Sequence, residues 1–331
     1  VSGDMGELNA LNAKTTGVLT VGAVNTLTGT NAELTTMLGG QATLATAVNF
    51  TGFNAAEAII LSDASVTAAQ ADTASQATTG LLTATVAAGA LGATNTAFAD
   101  SGGQVNNISF TVTDSTAAAA TLNLLDAKTT VDIDVSAANA ISGANADIVA
   151  LYNNAANFVG LGNENITATD ASITVAEALV LLGNTSGSLT GTITAAGASQ
   201  ANLASLAAFD SQIAGTITNL TLTIDAATAA SVRSGAQFDG LTDTQSQVLF
   251  NHVAGGVTIT GNAGADWIDL RGFNTTGVDF TINAAAGDNR IYSGDGNDTI
   301  NTTTGADFIN VGGGRDTVNA GAGIDEIEVD S

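Results

Sequence analysis

AAAGDNRIY, SGDGNDTIN, TTTGADFIN, VGGGRDTVN and AGAGIDEIE run without a gap from Ala284 to Glu328. The fourth place of these five nine-residue units is always glycine, at Gly287, Gly296, Gly305, Gly314 and Gly323. The sixth is Asn289, then Asp298, Asp307, Asp316 and Asp325; the eighth is Ile291, Ile300, Ile309, Val318 and Ile327. A further copy, GNAGADWID, occupies Gly261–Asp269 and puts Asp266 in the sixth place. Glycine accepts φ > 0, so the chain can turn sharply there and aim its carbonyl oxygens inward. The aspartate two places on supplies the hard anionic oxygen that calcium prefers. The aliphatic residue two places further points inward from a very short strand. A single GxGxD would say little, because glycine and aspartate serve turns in any β protein. Five copies in register point to a metal-binding repeat.

The pattern resembles the nonapeptide GGxGxDxUx of the RTX family, the hemolysin-type calcium-binding repeats, which builds a parallel β-roll holding Ca²⁺. The resemblance implies two nonads per coil, so turns eighteen residues apart stack. Asp298 then pairs with Asp316, Asp307 with Asp325, and Asn289 with Asp307, each pair flanking a cation. Several calcium ions are expected, held by Asp266, Asn289, Asp298, Asp307, Asp316 and Asp325. Backbone carbonyls near Gly287, Gly296, Gly305, Gly314 and Gly323 complete the shells. Without an ion, carboxylates brought face to face repel. Asn289 is a neutral ligand, and the units beginning at Ala284 and Thr302 lack glycine in their first two places, so weaker binding is expected there. From Asp266 to Asn289 the spacing is 23 residues, which predicts a coil interrupted by GFNTTGVDF. Trp267 and Tyr292 are expected to cover the ends of the roll.

Charge narrows the partners. The chain carries 31 acids against six bases, a net charge of −25. Such a surface repels nucleic acid and anionic membranes and favours divalent cations. No apolar run reaches the ~18 residues of a spanning helix, and no signal peptide is visible. Cysteine is absent, which excludes disulfides and thiol chemistry. RTX relatives leave the cell by a type I route directed by a C-terminal segment beyond the repeats. The chain ends close after the last nonad, so a fragment of a larger protein is expected.

Upstream, a longer period appears. Asp63, Asp114, Asp170 and Asp225 stand in LSDASVTAA, VTDSTAAAA, ATDASITVA and TIDAATAAS, at spacings of 51, 56 and 55. Thr-Thr or Thr-Ser pairs begin at Thr78, Thr129 and Thr185, and an earlier pair at Thr15 lies in LNALNAKTTGVLTV, which matches LNLLDAKTTVDIDV. Each Asp reads as the N-cap of the alanine-rich helix after it. Lys14 and Lys128 read as shields of helix C-terminal carbonyls. Ile108, Phe110 and Val112 alternate with Ser109, Thr111 and Thr113, as do Leu220, Leu222 and Ile224, and Val257 and Ile259, with their threonines. That is the period of strands covered on one face. The expected fold is an α/β parallel solenoid of about 4.5 strand-helix modules over residues 1–260, followed by the calcium-binding parallel β-roll of 261–331.

No catalytic constellation stands out. There is one histidine, His252, no HExxH and no GxSxG. His252 reads as a satisfied structural residue. Compositional likeness to bacterial surface-layer proteins and large RTX adhesins points to a secreted, calcium-dependent structural protein of the cell surface. It would assemble with its own copies into a layer or filament, with cell-surface polysaccharide a further candidate partner. The alternative is an extender of a large adhesin. Regular threonine rows also raise ice binding, which the varying module lengths disfavour.

Overall fold

Runs such as TLTG and TIT form strands because β-branched side chains suit a pleated surface and alternate between its faces. The computed structural model describes residues 2–99, 106–223, 238, 241–273 and 277–329. The chain forms two compact units, Val1–Glu164 and Asn165–Ser331. All strand pairings among the described residues are parallel.

In the first unit, Ser2–Asp4, Thr26–Gly29, Ala58–Leu61, Leu82–Thr85 and Asn107–Ser109 lie side by side in that order. Ser2 pairs with Thr26, and Thr83 with Asn107, a step of 24 residues. The helices Met5–Asn12, Asn31–Leu38, Ala68–Gln76, Leu91–Ala97, Ala119–Asp126 and Asn145–Asn153 each pack beside the next. Strand residues Leu27, Ile59, Leu82 and Ile108 and helix residues Met5, Leu34, Met37, Ala71, Leu122 and Leu125 are all buried. The observed repeat is therefore one strand and one helix in roughly half the interval between successive marker aspartates.

In the second unit the helices Val175–Leu182, Gln200–Ala207 and Asp243–His252 pack in the same sequential manner. Its largest sheet orders Thr221–Thr223, Val257–Thr260, Phe280–Asn283, Thr299–Asn301 and Thr317–Asn319. Along this sheet the step falls from 23 residues, Val257 to Phe280, to 18, Thr281 to Thr299 to Thr317. A facing set orders Trp267–Asp269, Arg290–Tyr292, Phe308–Asn310 and Glu326–Glu328 with the same steps. The C-terminal part is thus a parallel β-roll continuous with the strands before it. Both sheets keep register, at a step of 23 residues, around the segment GFNTTGVDF, of which residues 274–276 lie outside the described residues. Its extra length is anchored by Phe273, whose ring lies 5.3 Å from that of Phe250, itself 5.6 Å from Phe280.

Asp63 and Asp114 act on helices, but not on the helices that follow them. Asp63 accepts the N–H of Asn31, first residue of the preceding helix, at 2.7 Å. Asp114 likewise accepts the N–H of Leu91 at 2.5 Å, at a helix whose own N-cap, Ala90, offers no side-chain acceptor. The helix after Asp63 is capped by Thr67, and the helix after Asp170 by Thr174. Asp225 and Ile224 lie outside the described residues. The local caps are Thr-x-x-Glu/Gln boxes at Thr30, Thr67, Thr174 and Thr242. The box at Thr67 closes the turn after Asp63, whose side chain reaches one repeat back instead. Lys128 also reaches back, donating to Asn95 O, Asn95 Oδ1 and Phe98 O at 3.1, 2.8 and 2.6 Å. The helix Leu91–Ala97 therefore receives a carboxylate at its positive end and an ammonium at its negative end, both from the next repeat. Lys14 is exposed.

Thr78, Thr129 and Thr185, first members of three of the threonine pairs, mark buried corners, whereas Thr15 is exposed. Thr129 Oγ1 donates to Ile108 O at 2.6 Å and accepts from Ile108 N at 3.0 Å. Thr78 Oγ1 donates to Glu57 O at 2.5 Å and accepts from Gly80 N at 2.8 Å. Asp114→Ala is expected to lower the stability of the chain by about 1 kcal/mol, the usual worth of a helix cap, read as a lower urea midpoint; an unchanged midpoint contradicts the cross-repeat cap.

Candidate metal centre

The turns of the roll exist because glycine permits them. Gly296, Gly305 and Gly314 have φ of 140°, 141° and 138°, which side chains rarely tolerate. A Cβ on Gly305 would collide with Gly287 O, and one on Gly314 with Gly296 O. The close approach thus brings a glycine carbonyl against the next coil in each row. Turn-to-turn hydrogen bonds run from Gly287 N to Thr304 O, Gly296 N to Gly313 O and Gly305 N to Ala322 O, at 2.8, 2.9 and 3.1 Å. The carbonyl oxygens of Gly287, Gly296 and Gly305 take no part in those bonds.

The eighth-place residues Ile268, Ile291, Ile300 and Ile309 fill the interior and are fully buried, whereas Val318 is half-buried and Ile327 of the last unit is exposed. Their neighbours face out. On one sheet these form a row of Thr221, Thr258, Thr281, Thr299 and Thr317 and a second of Thr223, Thr260, Asn283, Asn301 and Asn319. On the other sheet Trp267, Arg290 and Phe308 are cross-strand partners. Arg290 lies 5.1 Å from the Trp267 ring and 4.3 Å from that of Phe308. Arg271 stacks 3.5 Å from the Tyr292 ring. Trp267 and Tyr292 therefore belong to a cation–π stack on the sheet face and do not cap the roll.

The sixth-place side chains form two ladders. Asp316 Oδ1 accepts the backbone N–H of Asp298 at 2.9 Å, and Asp298 Oδ1 that of Phe280 at 2.8 Å. In the other row Asp325 Oδ1 accepts from Asp307 N at 3.1 Å, Asp307 Oδ1 from Asn289 N at 2.8 Å, and Asn289 Oδ1 from Asp266 N at 3.0 Å. Each such bond fixes one oxygen and leaves the second atom of the group facing elsewhere. For Asp298 and Asp307 that second atom, Oδ2, is buried with no hydrogen-bond partner, while the residues are only 1% and 2% exposed. Ser293 lies beside Asp298, but its single hydroxyl proton goes to Val311 O at 2.9 Å. A buried carboxylate oxygen without a donor is costly unless a cation meets it.

Burial pushes the Asp298 carboxyl up to about 6, with the facing Asp316 and Asp279 charges adding to it. Burial likewise pushes Asp266 up to about 6, offset by the amide of Asn262. Asp269 is held below the usual carboxylate range by Arg271, which it binds at 2.9 and 2.7 Å. Asp316 and Asp325 are less buried than Asp298 and Asp307. Among the described residues no three His, Cys, Asp or Glu side chains converge on one point. A cation between coils must then draw on one or two carboxylates and on backbone carbonyls, and the free Oδ2 atoms and the glycine carbonyls are oxygens of the kind calcium takes. His252 lies outside this region of the second unit and bonds Asp210 through Nε2 at 2.9 Å.

Residues 254–276, 281–303 and 292–327 match the family described as RTX calcium-binding nonapeptide repeat, in four copies. These repeats bind calcium ions, so calcium is the cofactor of this part of the chain. No curated protein and no solved structure matches the chain. Among the described residues no helix is long and apolar enough to cross a membrane.

The raised carboxyl of Asp298 sets opposite pH dependences with and without calcium. Its folded value lies above the ordinary 3.8, so protonation favours the metal-free roll, which gains stability as pH falls through about 6. Calcium needs the carboxylate, so protons compete with it below the same value. In EGTA the β signal in circular dichroism is therefore expected to rise as the pH is lowered from 7.5 to 5.5, because protonation of the buried carboxyl favours the closed metal-free roll. A signal flat across that range contradicts the burial of this group.

Proposed function

We propose that the protein is a secreted, calcium-stabilised structural component of the bacterial cell surface that assembles with its own copies into a layer or filament. The observation that carries the calcium-stabilised part of the reading is the pair of buried, partnerless carboxylate oxygens at Asp298 and Asp307, one in each ladder of the calcium-binding nonads. RTX repeats are typical of secreted proteins, and the strongly acidic, cysteine-free composition suits an exported chain that is set by metal. Asp298, Asp307, Asp316 and Asp325 supply the anionic ligands, with the carbonyls near Gly287, Gly296, Gly305, Gly314 and Gly323 completing the shells. The mechanism is linkage: where calcium is scarce the acidic coils stay open, and outside the cell binding free energy becomes folding free energy. An affinity of ~10⁻⁴–10⁻³ M, the range of extracellular modules, suits such a switch.

The strand-helix repeats upstream form, on this reading, solenoid modules over residues 1–260, and the roll of 261–331 continues them. Parallel pairing throughout and the continuous sheet from Thr221 to Asn319 support it. The role is non-enzymatic: the sequence holds neither HExxH nor GxSxG, and the one histidine is paired with Asp210. Other copies of the chain are the main partner, with cell-surface polysaccharide the second. A spacer in a large RTX adhesin is the rival reading, favoured by the uniform 18-residue step of the last coils.

Chelation with EGTA is expected to reduce the β signal in circular dichroism, and calcium to restore it. Asp298→Ala combined with Asp316→Ala is expected to raise the calcium midpoint severalfold; an unchanged midpoint rules out these ligands. Electron microscopy of the purified protein in calcium separates the two readings, since ordered sheets or filaments support assembly and dispersed single molecules support the spacer.

A further inference from the structure

We infer that the first coil of the roll, residues 261–273 and 277–292, is closed by its own amide and guanidinium groups and folds without calcium, so that the ion sets only the coils beyond it. The inference rests on calcium being required by the later turns and concerns where along the roll it is needed.

Two side-chain amides stand where a cation would otherwise be called for. Asn262 donates to both oxygens of Asp266, through Nδ2 to Oδ1 at 2.6 Å and through its backbone N–H to Oδ2 at 3.1 Å. Both oxygens of the Asp266 carboxylate therefore find donors within its own turn. At the next sixth place, Asn289 replaces aspartate. Its Oδ1 accepts the N–H of Asp266, in the same manner as Asp307 and Asp298 accept theirs. That bond fixes the orientation of the amide, because a flipped Asn289 would set two donors against each other. Nδ2 is then the buried, partnerless atom, in the place where Asp298 and Asp307 leave an oxygen. An N–H donor there repels a cation.

Charge follows the same division. Residues 261–292 hold four acids and two arginines, whereas 293–331 hold eight acids and one arginine. Asp269 is chelated by Arg271, which stacks on Tyr292. Arg290 lies against Trp267 and Phe308 and donates to Tyr292 Oη at 2.8 Å. The first coil also pairs with Val257–Thr260 over four residues in register. The later coils have only one arginine, Arg315, which is exposed. Counter-charges in the first coil are side chains; in the later coils they must come from the ion. The first coil is a standing template, and the remaining nonads close onto it as calcium rises.

Hydrogen exchange of the protein in EGTA and in calcium chloride tests this. In EGTA, peptides covering residues 257–292 are expected to remain protected while those covering 299–328 exchange freely, and calcium is expected to protect the second group. Opening of 257–328 as one unit in EGTA overturns the inference and leaves the calcium reading standing. Exchange that is identical with and without calcium overturns both. The variant Asn289→Asp adds a second arm: calorimetric titration with calcium chloride is expected to show one ion more than the parent chain, with protection of 261–292 in EGTA diminished. A variant that binds no additional ion also overturns the inference.

Discussion

One bond sets the C-terminal architecture: a sixth-place carboxylate accepts the backbone N–H of the corresponding place one coil back. With the 18-residue step it brings Asp316 onto Asp298 and Asp325 onto Asp307. It also orients the group, holding Oδ1 in the ladder and leaving Oδ2 of Asp298 and Asp307 buried without a partner. The fourth-place glycines follow from the same constraint, because coils this close leave no room for a Cβ at Gly305 or Gly314. So does the metal. A column of carboxylates at strand spacing is self-repelling, and divalent cations are the counter-charge that the sequence itself does not supply.

The upstream repeats use a related device with different atoms. Asp63 and Asp114 each cap a helix of the preceding repeat, Lys128 closes the other end of one of those helices, and Thr78 and Thr129 bond backbone carbonyls across a corner. In every case a polar side chain reaches one step back along the chain. Burying such groups costs little because each finds its partner in the adjacent repeat. Along the nonads, side-chain partners give way to a reliance on calcium.

The glycine and aspartate spacing made the roll and its row partners legible, because a strict nine-residue period leaves few geometries. Alternation likewise placed Ile108, Phe110 and Val112 inside. The aspartates upstream were harder. Their side chains do act on helix N-termini, but a sequence shows only what lies ahead along the chain, and Asp63 bonds Asn31, 32 residues behind it. The true local caps had a visible signature in TNAE, TAAQ, TVAE and TDTQ, whose Thr and Glu or Gln bond each other's backbone. The 24-residue step was hidden because each marker aspartate spans two repeats. Asn262 lies outside the repeat consensus, and its hold on Asp266 depends on turn geometry that no spacing rule encodes. The stacking of Arg271 on Tyr292 was equally out of reach, since a separation of 21 positions says nothing of which rings meet.

The account comes down to a cation beside the free carboxylate oxygens. A high-resolution density map of the protein in millimolar calcium chloride tests that directly. Strong peaks about 2.3–2.6 Å from Asp298 Oδ2 and Asp307 Oδ2, shared with glycine carbonyls of the stacked turns, are the predicted result. Turns that keep the same backbone with only water, or nothing, beside those oxygens would contradict it.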